Sequence, residues 1–271
     1  MSQYAALSPR KVKTITDLLQ MKQDGQKIAS LTAYDASFAA LLEQAEVDVI
    51  LVGDSLGMVA QGHASTVPVT VQDMVYHTQA VSRGCRQTFI IADLPFMSSA
   101  TPLQAADNAA LLLKQGGAHM VKLEGAHLDV IRFMVQQGIP VCAHLGLLPQ
   151  SIYQLGRYAV QGKLAEDAQR ILQEARDIEQ AGAQMLIVEC IPADLAQDIS
   201  AQLSIPVIGI GAGVHCDGQV LVVYDMLGIS LGKRPRFSKD YLQQSGSILA
   251  AIQAYVAEVR TGAFPLAEHS F

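Results

Sequence analysis

A chain of 271 residues, half of them hydrophobic and 16% charged, has enough apolar surface to bury a large core, which excludes intrinsic disorder. Its net charge of −6, scattered basic residues, 6% aromatics and lack of tryptophan speak against a nucleic-acid footprint or a base-stacking platform. No apolar run approaches the ~18 residues of a membrane helix, and the opening MSQYAALSPRKVK has no signal-peptide core, so the expected compartment is the cytoplasm.

Taken in chain order, Thr16–Gln23 reads as a helix stopped at Gly25. Short apolar runs, most of them rich in β-branched residues, then recur as expected strands. They are Lys27–Tyr34, Val49–Val52, Phe89–Ala92, His119–Leu123, Val141–His144, Met185–Val188, Val207–Ile210 and Val220–Val223. Several are almost continuously apolar, as parallel strands buried on both faces are. The stretches between them have helical spacing. Leu164, Ala168, Ile171, Leu172, Ala175 and Ile178 form one stripe that stops at Ala181-Gly182, a glycine C-cap signal. A long closing helix is expected over Leu242–Arg260. Eight strands alternating with helices predict an α/β fold, a (β/α)8 TIM barrel with residues 1–271 as a single domain. An open doubly wound sheet is the alternative, but its GxGxxG turn after the first strand is missing. Cys85, Cys142, Cys190 and Cys216 show no CxxC pairing and read as reduced thiols.

The polar residues gather where these strands end: Asp35, Asp54 with Ser55, Asp93, Glu124, His144 and Glu189. In a barrel those ends converge on one mouth, where barrel enzymes carry their chemistry. Crowding carboxylates there costs repulsion and desolvation unless something compensates. Asp54, Asp93 and Glu124, on three neighbouring strands, offer oxygens to a hard divalent cation such as magnesium; no Cys/His spacing supports zinc. The competing reading is that Asp54 and Asp93 cap the helices that follow. Lys122, two residues before Glu124, shares its face and either holds a substrate carboxylate or pairs with Glu124. Glu189 is a general base, another metal ligand, or the partner of a loop arginine. His144 either contacts substrate or satisfies a backbone carbonyl. Gly209–Gly213 resembles an anion-binding turn after strand seven but lacks the Lys-Ser/Thr of a P-loop.

These residues lie within LTAYDASFA (31–39), LVGDSLGMVAQGHAST (51–66), PVTVQDMVYHTQAV (68–81), ADLPFMSSATP (92–102), MVKLEG (120–125), PVCAHLGLLPQS (140–151), VECIP (188–192), IPVIGIGAG (205–213), DGQVLVVYDMLG (217–228) and EHSF (268–271). In this order the series resembles the ketopantoate hydroxymethyltransferase family over essentially the whole chain after the first dozen residues. The resemblance implies a barrel of the phosphoenolpyruvate/pyruvate superfamily. It implies transfer of a hydroxymethyl group from 5,10-methylenetetrahydrofolate to 3-methyl-2-oxobutanoate, giving ketopantoate, in pantothenate and coenzyme A biosynthesis. By matching motifs it implies Asp54, Asp93 and Glu124 as Mg²⁺ ligands, Asp54, Ser55, Asp93 and Lys122 as substrate contacts, and Glu189 as proton acceptor. His144 matches an active-site position, expected to touch substrate. The family's homo-oligomers, commonly decamers of two pentameric rings, set the expectation for assembly; membrane and nucleic acid are not expected partners. Gly156-Arg157-Tyr158-Ala159 departs from the family's GGYK, and Ala126 and Leu148 also depart from its pattern; none replaces a ligand or the base.

Two other readings compete. One is a different magnesium-dependent carbon–carbon lyase or phosphonomutase of the same superfamily, which would lack this motif series. The other is a non-catalytic barrel that binds an oxo acid.

Overall fold

The computed structural model describes residues 12–271, so most of the opening segment read above for a leader lies outside the described residues. Eight parallel strands form a closed barrel in chain order. They are β1 (Ile28–Thr32), β2 (Val49–Val52), β3 (Phe89–Asp93), β4 (Met120–Glu124), β5 (Val141–Gly146), β6 (Met185–Glu189), β7 (Val207–Ile210) and β8 (Gly218–Leu221). Apart from the outermost residues of β5 and β6, every strand residue is buried, as the near-continuous apolar runs require of strands walled by neighbours inside and helices outside.

The longer helices are α1 (Ile15–Gln23), α2 (Ala36–Gln44), α3 (Val71–Gly84), α4 (Pro102–Leu111), α5 (Leu128–Gln136), α6 (Ala165–Gln180), α7 (Ala193–Gln202) and α8 (Ile248–Thr261). Their starts are written locally. Thr14 and Thr70 each close a capping box with an aspartate three residues on, and Thr101 and Ser247 also cap through their hydroxyls. Each such cap is worth about 1 kcal/mol. The amphipathic stripe of α6 buries Ile171, Ala175 and Ile178; burying such an aliphatic side chain contributes about 1.5–3 kcal/mol.

Three expectations need correction. The last strand is Gly218–Leu221, two residues earlier than the apolar run suggests. Its position is set by pairing Gly218 with Ile28 across the barrel seam, where a Cβ at 218 would lie 2.3 Å from the Ile28 carbonyl oxygen; glycine is required for that approach. No helix separates β7 from β8, so the alternation breaks there. The long closing helix is also divided: a short turn, Leu242–Ser245, ends at the left-handed Gly246, and Ser247 starts α8 afresh. From α8, the Tyr255 hydroxyl donates to the carbonyls of Ser30 and Gln219, each at 2.9 Å, fastening the seam between β1 and β8. All four cysteines are buried and unpaired.

Candidate active site at the carboxyl ends of the strands

The strand ends open into a cavity of about 980 Å³ whose wall includes Asp54, Asp93, Lys122, Glu124, His144 and Glu189. The barrel thus brings every site residue expected from sequence to one place, Ser55 included. Asp54, Asp93, Lys122, Glu124 and His144 are all buried.

Asp54 and Asp93 are not helix caps. Asp93 Oδ2 accepts from the Asp54 backbone N–H at 3.1 Å, a bond between the ends of adjacent strands. The short helical turn after Asp54 has no side-chain cap. Asp35 is the residue that caps, accepting from the N–H groups of Ser37 and Phe38. Lys122 pairs with Asp93, not Glu124: its Nζ stands 2.9 Å from Asp93 Oδ1. That contact is out of hydrogen-bond line, and Asp93 Oδ1 is a buried oxygen with no hydrogen-bond partner. Burial pulls the Lys122 ammonium toward neutrality, but Asp93, Glu124 and Asp54 more than reverse this and hold it charged.

Among the described residues, Glu189 has no arginine partner. Its Oε2 lies 3.3 Å from His144 Nε2, and His144 Nδ1 lies 3.9 Å from Glu124 Oε1. His144 therefore stands between two carboxylates, with neither ring nitrogen hydrogen-bonded. Burial, reinforced by the Lys122 charge, holds its pKa far below the usual histidine value, so the ring is neutral. Burial likewise pushes the Glu189 carboxyl up to about 8, with Lys122 opposing and Asp93 adding to the shift. Asp54 is pushed up to about 7, mainly by burial and then by repulsion from Asp93. Burial also raises Glu124 well above the usual range. Ser55 Oγ and the Tyr34 hydroxyl lie 2.9 Å apart.

The backbone holding Glu189 is strained. Cys190, next in sequence, adopts a left-handed φ of 49°, costly for a residue with a Cβ and often found at functional sites. Gly146 pairs with Glu189 across β5 and β6. A Cβ there would sit 2.2 Å from the Glu189 carbonyl oxygen, and φ is +93°, so no side chain fits without moving the strand that carries Glu189.

One participant was not anticipated from sequence. Gln150, in the short 3-10 turn Pro149–Ser151, donates its side-chain amide to Asp54 Oδ2 at 2.7 Å and to the Leu94 carbonyl at 3.0 Å. Its backbone N–H donates to Glu124 Oε2 at 3.0 Å. It sits inside the quoted PVCAHLGLLPQS stretch, but a polar residue after a proline reads as an ordinary turn, and only the tertiary fold shows what it reaches. At Gly211 the glycine turn packs against Phe237 and Phe271 and is filled there by rings. Of the departures, Arg157 and Ala159 line the cavity, whereas Ala126 packs against the core.

Among the described residues, no three His, Cys, Asp or Glu side chains stand close enough together to hold a metal ion. The donor chemistry nevertheless fits a hard cation. Asp54, Asp93 and Glu124 are oxygen donors, Asp54 and Glu124 are raised by burial and by neighbouring carboxylates, and Asp93 Oδ1 is a buried oxygen with no hydrogen bond, faced only by the Lys122 ammonium. Such a set is short of positive charge.

A closed parallel barrel whose carboxyl-end mouth gathers buried acids, one buried lysine and a neutral histidine defines a barrel enzyme built for acid–base work on a small polar substrate. The comparisons narrow this. A family model described as ketopantoate hydroxymethyltransferase matches residues 12–267. The 3-methyl-2-oxobutanoate hydroxymethyltransferase of Shewanella loihica is 59% identical over 260 residues, 95% of this chain and 98% of that protein. The enzyme of the same name from Nitrosococcus oceani is 58% identical over the same shares. The chain belongs to the ketopantoate hydroxymethyltransferase family.

Solved structures share the fold at low identity. A 2,3-dimethylmalate lyase of the PEP mutase/isocitrate lyase superfamily superposes with a TM-score of 0.60 at 18% identity, covering 81% of this chain and 84% of that one. A phosphonopyruvate hydrolase, solved with oxalate and Mg²⁺, has a TM-score of 0.60 at 12% identity, covering 95% and 93%.

Proposed function

We propose that this chain transfers a hydroxymethyl group from 5,10-methylenetetrahydrofolate to 3-methyl-2-oxobutanoate, yielding ketopantoate and tetrahydrofolate. Family membership at this identity supports the reaction. The observation that carries the mechanism is the Glu189 carboxyl, pushed up to about 8 by burial in the same cavity as Asp54, Asp93, Lys122 and Glu124.

Glu189 is the general base. A carboxylate of raised pKa is a stronger base than one in water, and it removes the C3 proton of the oxo acid. His144, kept neutral, has one N–H to give and lies 3.3 Å from Glu189 Oε2; it orients the base and borders the bound oxo acid. Lys122, held charged by Asp93, places positive charge where the enolate oxygen becomes negative. Ser55 and the Asp54–Asp93 pair contact the substrate's polar end. Asp54, Asp93 and Glu124 would hold Mg²⁺, and the bound cation supplies Lewis-acid stabilisation of charge growing on the keto oxygen. C3 then bonds to the one-carbon unit. The two carbon–nitrogen bonds of the donor's methylene give way to that carbon–carbon bond and one bond to the oxygen of water.

Among the described residues, no helix is long and apolar enough to cross a membrane. The wider reading is a cytoplasmic enzyme whose chain acts as one barrel domain in a homo-oligomer. A decamer of two pentameric rings would weigh about 290 kDa, ten times the 29.0 kDa chain, which light scattering measures directly.

The decisive test is C3 deuterium exchange of 3-methyl-2-oxobutanoate in heavy water, followed by proton NMR with and without Mg²⁺. Metal-dependent exchange is expected. No exchange, even with folate present, would sink the enolising site and favour the oxo-acid-binding barrel.

A further inference from the structure

Gln150 touches two acids on different strands, and both contacts run from nitrogen to carboxylate oxygen. The side-chain amide has Asp54 Oδ2 on one side and the Leu94 carbonyl on the other. Both are acceptors, so the amide nitrogen must face them, and its orientation follows from chemistry. Both amide hydrogens are thus committed. The Asp54 carboxylate is pinned through Oδ2, which leaves Oδ1 as its oxygen with no hydrogen bond from the described residues. Proline at 149 presets the turn that brings Gln150 in, and the backbone bond from residue 150 to Glu124 fixes that turn against β4 whatever side chain stands at 150.

We propose that Gln150 is a positioning residue that orients Asp54 for the divalent cation and so sets the affinity of the metal site. This rests on Asp54 being a ligand, as read above. Groups that hydrogen-bond a ligating carboxylate fix its rotamer, and their removal typically weakens metal binding about 10–100-fold. Because the contact to Glu124 is a main-chain bond, substitution of the side chain leaves it in place and removes only the bonds to Asp54 and the Leu94 carbonyl.

The experiment measures Mn²⁺ affinity of the full-length protein by electron paramagnetic resonance of the free ion, with 3-methyl-2-oxobutanoate present. It compares wild type with Gln150→Met, which keeps the length of the side chain but not the donor, and with Gln150→Asn, which keeps the amide on a stem too short to reach. Expected are Kd values raised about 10–100-fold in both, a metal-free melting temperature close to wild type, and C3 exchange that is lost at low Mn²⁺ but returns as Mn²⁺ is raised. Wild-type Kd in both variants would overturn the inference and leave the proposed reaction standing. Loss of cooperative melting in both would make Gln150 a structural residue and also overturn it. If wild type itself bound no Mn²⁺, the metal reading would fail first and the inference with it.

Discussion

At the amino ends of the barrel strands, acidic side chains terminate the sheet. Asp48 accepts from the Ala29 N–H at 2.9 Å and pairs with Lys13. Asp217 Oδ2 accepts from the Val207 N–H, the Ser200 hydroxyl and Lys22. One oxygen of Glu43 gathers three consecutive N–H groups, from Arg86 to Thr88. At the carboxyl ends the same residue types face each other, and Asp93 and His144 keep polar atoms with no hydrogen-bond partner. The amino end even has its own cavity, about 600 Å³, bordered by Lys13, Lys27, Asp48 and Arg260, but each of those charges has a protein partner. Concavity and charge do not separate an active end from a structural one. What separates them is whether the chain satisfies its own charged groups; among uncharged ones the amino end also leaves Gln184 Oε1 without a hydrogen-bond partner.

The contrast can be broken most forcefully at Glu189. Glu189→Gln is expected to lower C3 exchange about 10²–10⁴-fold while oxo-acid and metal binding persist; unchanged exchange would remove the base assignment. Wild-type exchange should climb as pH rises through about 8, because the base works only when ionised and burial holds Glu189 up to about 8. The same shift weighs on stability. Above about 4.5, the ordinary value, the unfolded chain gives up this proton while the folded chain keeps it. Stability of the metal-free protein therefore falls as pH rises from about 4.5 to about 8. Differential scanning at alkaline pH should accordingly show Glu189→Gln melting higher than wild type.

Next in size is Asp93→Ala, which strands the buried Lys122 ammonium. Breaking a buried pair costs about 3–5 kcal/mol, to be read by urea titration, and calorimetry should show metal and oxo-acid binding weakened together. Equally tight, fully metal-dependent oxo-acid binding would show that Asp93 is no ligand. The smallest effect on function is expected at the opposite end. Asp217→Ala leaves the Val207 N–H without its acceptor and should cost about 1–3 kcal/mol of stability with C3 exchange intact at 25 °C. A tenfold loss of exchange in the folded variant would erase the distinction between the two ends.

Most of this architecture was legible before any coordinates. Strands β2 and β7 match their apolar runs end to end, because a strand buried on both faces leaves an uninterrupted signal. The last strand was misplaced because Gly218 and Gln219 carry no apolar signal; their place is dictated by β1 across the seam. The mouth acids were legible because a strand's direction decides which end its last polar residue occupies. Their partners were not. Lys122 reaches Asp93 rather than Glu124, although Glu124 is its neighbour along the strand, because Asp93 and Lys122 are matched in register across β3 and β4. Gln150 went unnoticed because its three contacts lie on other segments, 26 to 96 residues away.

Gly146 has a consequence for how this gene can change. The space its missing methyl would fill belongs to the carbonyl of Glu189, so every missense neighbour of the codon at 146 puts a side chain into that space. Any missense change there, even to alanine, is felt first by Glu189, the proposed base, one strand away. If Glu189 is the base proposed above, selection on turnover reaches a residue with no functional group, and a lineage that drifted at position 146 would lose the chemistry before it lost the fold.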